Sequence, residues 1–102
     1  MYLIKFSKAA EKDKKELKRA GLEKKVKELL NIIRENPYQI PPSYEKLVGN
    51  LEGNYSRRIS IQHRLVYEVR ELDMDIISEE ADMEYDGIIF VKRMWTHYEK
   101  VK

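Results

Sequence analysis

Cysteine is absent from the 102 residues. That excludes a disulfide-stapled scaffold and any thiolate metal site, and it fits a reducing cytosol. Histidine occurs only as His63 and His97, too few for a zinc-type cluster and at no spacing that makes one. Apolar runs are short, and none approaches the roughly 18 residues that a membrane-spanning helix needs. The opening MYLIKFSKAAEK has too brief an apolar part for a secretory signal, and no small-residue cleavage site follows it. A soluble cytoplasmic protein is therefore expected, with no cofactor, no metal and no membrane partner. Proline is scarce too: Pro37, Pro41 and Pro42 all fall in NPYQIPPSYEKL, which marks that stretch as a loop.

What is present suffices for one core. Hydrophobic residues make up 42% of the chain, enough for residues 1–102 to fold as a single domain. The net charge of +2 conceals an asymmetry. Residues 71–86, ELDMDIISEEADMEYD, hold eight acidic groups and no Lys or Arg, and are expected to form an acidic hairpin extension. The other 86 residues carry 20 basic and 10 acidic groups, net +10. A basic body points to a polyanionic partner, although the lysines of residues 8–27 alone read as a solvated helical face.

Along the chain, MYLIKFS reads as a first strand and Ser7 as the N-cap of a helix over KAAEKDKKELKRA. With Ala10 at the third helical position there is no capping box. Only Ala9, Ala10, Leu17 and Ala20 of this helix are apolar enough to face a core, and Gly21 ends it. Leu22, Val26, Leu29, Leu30 and Ile33 form one stripe of a second helix, stopped by Pro37. NLEGNYSRRIS, RLVYEV and GIIFVKRMWTHY then read as strands. The order β-α-α-β-β-β predicts an α+β fold: a small, twisted, mainly antiparallel sheet with two sequential N-terminal helices on one face.

A sheet covered on one side leaves the other open. The stretch from residue 54 to 69 carries Arg57, Arg58, His63 and Arg64 among β-branched and aromatic residues. Successive side chains alternate, so only one of Arg57 and Arg58 can share a face with Arg64's site. Taken singly, each of these groups reads as a solvated or paired strand residue, and His63 as the holder of a turn.

The combination is more specific. NLEGNYSRRISIQHRLVYEV with the closing MWTHYE resembles the YoeB/Txe toxins of toxin–antitoxin modules, within the RelE/ParE superfamily. FSKAAEKDKKELKRAG and VKELLNIIRENP resemble that superfamily's two helices, so the likeness covers nearly the whole chain. The resemblance implies metal-independent cleavage of messenger RNA, usually on the ribosome, by attack of the ribose 2′-hydroxyl on the adjacent phosphate. It implies Glu45 as base, Arg64 as phosphate clamp supported by Arg58, His97 as acid and Tyr98 as a substrate-positioning ring. Arg57 and Lys46 join Arg58 as candidate substrate-binding cations. It further implies a Phd/YefM-type antitoxin as partner and leaves room for a homodimer. A ParE-like toxin that binds a protein target without nuclease chemistry is the competing reading. Three features depart from the pattern: Val48 stands where relatives often carry lysine, EKVK follows Tyr98, and the acidic stretch is longer than the usual turn.

Overall fold

The computed structural model describes residues 1–71 and 85–94. The interior of the acidic stretch lies outside them, and so do His97 and Tyr98; the expected acidic hairpin and the expected end of the last strand therefore have no structural counterpart to report. The described chain runs β1 (Tyr2–Phe6), α1 (Lys8–Arg19), α2 (Glu23–Glu35), β2 (Glu45–Lys46), β3 (Asn54–Arg58), β4 (Arg64–Glu71) and β5 (Gly87–Arg93). The five strands form one sheet in the order β1-β5-β4-β3-β2, antiparallel throughout except for the parallel pair β1 and β5. This is the expected α+β arrangement.

The helices begin and end where their local chemistry dictates. Ser7 Oγ accepts the Ala10 N–H at 2.9 Å, satisfying one of the donors that a first turn leaves free. At the far end the Gly21 N–H reaches the Lys18 carbonyl at 3.1 Å and the Leu22 N–H reaches that of Leu17 at 2.9 Å. That paired closure needs a left-handed residue between the helices, which Gly21 supplies at φ 75°. Val26, Leu29 and Ile33 of α2 and Ala10 and Leu17 of α1 bury against Leu65, Tyr67, Ile89 and Val91 of the sheet. Each large side chain so buried contributes about 1.5–3 kcal/mol of transfer free energy.

Three expectations need amendment. Ala20 is the exposed C-cap of α1, and the third inward position of that helix is taken by Asp13, which is buried. The strand expected over residues 50–60 is shorter. A 3-10 turn over Gly49–Leu51 and the left-handed Gly53 keep its start out of extended pairing, so β3 begins at Asn54. The proline-rich loop ends in a two-residue edge strand, β2, which pairs Glu45 with Ser56 and Lys46 with Tyr55.

Between Val66 and Tyr67 the register slips by one residue, so Val66 faces Arg93 while Tyr67 faces Val91. The bulged Lys92 offers its carbonyl to the Ser7 hydroxyl at 2.8 Å. One serine thus caps α1 and fastens the bulge. Such irregularities bend a strand and re-aim the residues after it. Arg93 and Met94 accordingly turn inward, where Asp13 accepts Arg93 Nε at 3.0 Å and the Met94 N–H at 2.9 Å.

Candidate active site

The open face of the sheet near β2 carries the cations. β3 and β4 pair Arg58 directly with Arg64, and Ser56 with Val66. Alternation puts Arg58, Ser56 and Arg64 on one side, and the Glu45–Ser56 pairing adds Glu45 to it. Two arginines directly opposite one another repel, an arrangement that costs stability unless an anion lies between them. Glu45 answers part of that charge: its Oε1 stands 3.5 Å from Arg64 Nη1. Arg64 also donates to Ser56 Oγ at 3.4 Å. Its side chain is only 13% exposed, whereas that of Glu45 is 51% exposed, so the arginine is held and the carboxylate faces solvent. Arg58 is exposed, and among the described residues it has no ion-pair partner.

These residues line an open concavity of about 410 Å³, together with Tyr44, Ile61 and Lys25. That size lies within the ~300–1,000 Å³ typical of small-ligand pockets. Among the described residues no group of three His, Asp or Glu converges as metal ligands do.

The hairpin between the arginines is locked locally. The His63 carbonyl accepts the N–H groups of Ile59 and Ser60 at 2.9 and 3.1 Å. The Ser60 hydroxyl oxygen accepts those of Gln62 and His63 at 3.2 and 3.1 Å. His63 thus holds the turn, as its sequence context suggests, and the turn fixes Arg58 and Arg64 as neighbours.

Two of the expected substrate-binding cations lie elsewhere. Arg57 is fully buried on the opposite face. Its Nη1 donates to Pro42 O at 2.6 Å, its Nη2 to Pro37 O and Gln39 O at 2.9 Å each, and its Nε to Tyr67 Oη at 3.0 Å. With its donors spent on carbonyls it cannot serve a substrate, and its work is to hold the 37–42 loop. Lys46 follows Glu45 and so points to the other side of β2, beside Tyr55; it does not line the concavity. Glu45, Arg64 and Arg58 do come together. His97 and Tyr98 lie outside the described residues.

The Arg57 network has a further consequence. Tyr67 Oη donates to Pro37 O at 2.7 Å while accepting from Arg57. Burial raises the Tyr67 hydroxyl pKa above its ordinary value, and the neighbouring guanidinium opposes that rise. The Arg57 guanidinium also lies 5.0 Å from the centre of the Tyr44 ring. A buried charge therefore supports the loop that presents Tyr44 and Glu45 to the concavity.

Lys25 and Ser56 were not legible as site residues. Ser56 gives no signal, being one polar residue on a strand. Lys25 gives a faint one: it stands three residues after Leu22 and four before Leu29, so it borders the apolar stripe that faces the sheet.

Comparison with known proteins bears on the family and the fold. The family profile described as YoeB-like toxin of bacterial type II toxin-antitoxin system matches residues 6–82. A Toxin YoeB of Synechocystis is 42% identical over 66 residues, 65% of this chain and 70% of that protein. The Toxin YoeB of Escherichia coli K12 is 44% identical over 48 residues, 47% of this chain and 57% of that protein. Among solved structures, the YoeB of a heterotetrameric YoeB–YefM toxin–antitoxin complex from Staphylococcus aureus superposes with a TM-score of 0.68 at 34% identity, covering 96% of this chain and 99% of its own. A YoeB dimer from the same organism gives 0.67 at 33% identity, covering 95% and 98%.

Proposed function

Because the chain belongs to the YoeB-like toxins of bacterial type II toxin–antitoxin systems, we propose that it is a ribosome-dependent messenger RNA endoribonuclease whose site is the concavity of Glu45, Arg58 and Arg64. The observation that carries this reading is the directly opposed Arg58–Arg64 pair beside an exposed carboxylate. Two guanidinium groups on an open face suit a phosphodiester, which one fork can grip through two oxygens at once.

In the reaction Glu45 takes the proton of the ribose 2′-hydroxyl, and the 2′-oxygen attacks the adjacent phosphorus. The crowded phosphorane gains negative charge, which Arg64 and Arg58 offset with fixed positive charge in the place where it develops. The P–O5′ bond then breaks. The leaving oxygen takes a proton from His97, as an imidazole titrating near neutrality is suited to give. The products are a 2′,3′-cyclic phosphate and a free 5′-hydroxyl. Tyr98 positions the substrate by stacking or through its hydroxyl. The Staphylococcus relative is found with YefM, and a YefM-type antitoxin is the partner we assign to this chain. A net +10 body outside the acidic stretch favours capture of an acidic segment.

Primer extension on a messenger RNA translated in vitro tests all of this. Cleavage is expected with the wild type and is blocked by the antitoxin. Arg64→Ala should cost about 2–4 kcal/mol of transition-state stabilisation, as loss of one oxyanion donor does. His97→Gln should lose about 10²–10⁴-fold. Full cleavage by a natively folded Arg64→Ala protein sinks the assignment. Intact messenger RNA alongside arrested growth would move the protein to the binding-only class.

A further inference from the structure

Lys25 stands apart from the other helical lysines in where it reaches. α2 is rotated so that Val26, Leu29 and Ile33 enter the core. Residues three and four apart share a helix face, so Lys25 lies along the edge of the apolar stripe, between Leu22 and Leu29. Its neighbour Lys27 is turned to Glu23, with Nζ 3.5 Å from the carboxylate. Lys14 of α1 sits over the Phe6 ring, 3.6 Å from its centre, and 3.3 Å from Glu11. Both belong to the groove between α1, α2 and β1. Lys25 alone among the described helical residues lines the concavity of Glu45, Arg58 and Arg64. Among the described residues it has no ion-pair partner.

The concavity also has an apolar element. Ile61, at the tip of the turn between β3 and β4, is 83% exposed. Ile61, Ser60 and Ser43 line the same concavity as Lys25. An exposed apolar side chain and a helical cation in one concavity offer two kinds of contact: apolar surface for a ribose or base, and charge for a phosphate. Arg58 and Arg64 sit on strand ends fixed by a tight turn, so one phosphodiester fills them. A single-stranded RNA laid through the concavity has a further phosphate on either side of the first.

We propose that Lys25 forms a second phosphate subsite, which takes a phosphodiester flanking the one held by Arg58 and Arg64. This rests on the reading of the concavity as an RNA-cleaving site. The subsite binds longer single-stranded RNA and contributes nothing to a substrate with one phosphodiester. Lys25 is a binding residue, not a member of the acid–base set.

The test is fluorescence-anisotropy binding of two uncleavable probes, a 2′-O-methyl RNA octamer and a 2′-O-methyl dinucleotide with one phosphodiester, over a series of salt concentrations. Lys25→Ala should weaken octamer binding about fivefold, as loss of one exposed ionic contact does. The slope of log affinity against log salt should fall by about 0.7, the value for one phosphate on a single strand. Dinucleotide binding should not change, and Lys25→Arg should restore both octamer readouts. Arg64→Ala should weaken both probes. If Arg64→Ala weakens both while Lys25→Ala leaves the octamer's affinity and salt slope unchanged, the subsite is overturned and the reading of the concavity stands. If the wild type binds neither probe, or Arg64→Ala weakens neither, the reading falls and takes the subsite with it.

Discussion

Arg57 and Arg58 are adjacent in sequence and opposite in fate. One is fully buried among carbonyls, and the other opens to solvent. A buried guanidinium without a carboxylate partner is tolerable only if its donors are satisfied, and here Pro37, Gln39, Pro42 and Tyr67 satisfy them. Arg57→Leu leaves the Gln39 and Pro42 carbonyls without their donor, while the Pro37 carbonyl keeps the Tyr67 hydroxyl. At about 1–3 kcal/mol for each buried unsatisfied group, a loss of order 3 kcal/mol is expected in urea unfolding. A loss under about 1 kcal/mol would show that the loop does not depend on it. Arg57→Lys keeps the charge but not the fork, so it should recover only part of the stability. Tyr67 in the same network gives a pH signature. Its folded pKa is raised by burial, so its contribution is fully present below the unfolded value of about 10 and is lost as pH rises through the folded pKa. The chain should therefore lose stability above about pH 10, and Tyr67→Phe should make that fall shallower. Alternation shows in the sequence that the two arginines face opposite ways. Which one faces the core does not, because that is decided by the loop carbonyls fifteen to twenty residues earlier.

Elements differ in how much of them is visible before folding. The two helices and their junction were legible, because the stripe of α2, the Ser7 cap and the Gly21 closure are all local. β3 and β4 were legible in kind for the same reason. β2 was not, since two residues carry no period and pair only because β3 lies beside them. Asp13 was equally hidden: it sits at a core position of α1 because groups eighty residues away require it. That contact joins α1 to the end of β5. Asp13→Ala leaves the buried Met94 N–H unpaired, at about 1–3 kcal/mol, while Arg93, which is 32% exposed, can turn to water. His97 follows Met94 by three residues, within about 11 Å of chain. We therefore expect Asp13→Ala to lower the single-turnover cleavage rate, by more than its stability loss explains, in protein shown by circular dichroism to be folded. An unchanged rate would mean that the acid finds its place without this anchor.

At the scale of the whole molecule, the concavity and the two anchored ends of the acidic stretch lie at opposite ends of β4. The concavity lies where β3 and β4 meet, at Arg58 and Arg64. The acidic stretch leaves and rejoins the sheet at the other end, where Glu71 pairs with Gly87. A side chain at Gly87 would run into the Arg70 carbonyl and lie 2.9 Å from the Tyr2 ring, so the rejoining point is tightly set. From Arg64 to Glu71 the strand covers seven steps, about 24 Å at roughly 3.4 Å each. The screening length at physiological salt is about 8 Å. Charge at the anchored ends, Glu71 and Asp86, therefore has little field at the concavity at physiological salt. The expectation follows that replacing Glu79, Glu80, Asp82 and Glu84 with their amides leaves cleavage of a given RNA within about twofold at 0.15 M salt. At low salt, where the screening length grows to about 30 Å at 0.01 M, the same variant should cleave faster, because repulsion then reaches the site. A large change at 0.15 M would place the acidic groups near the arginines in spite of where their strands are anchored. Equal rates at both salt concentrations would separate the stretch from substrate binding altogether.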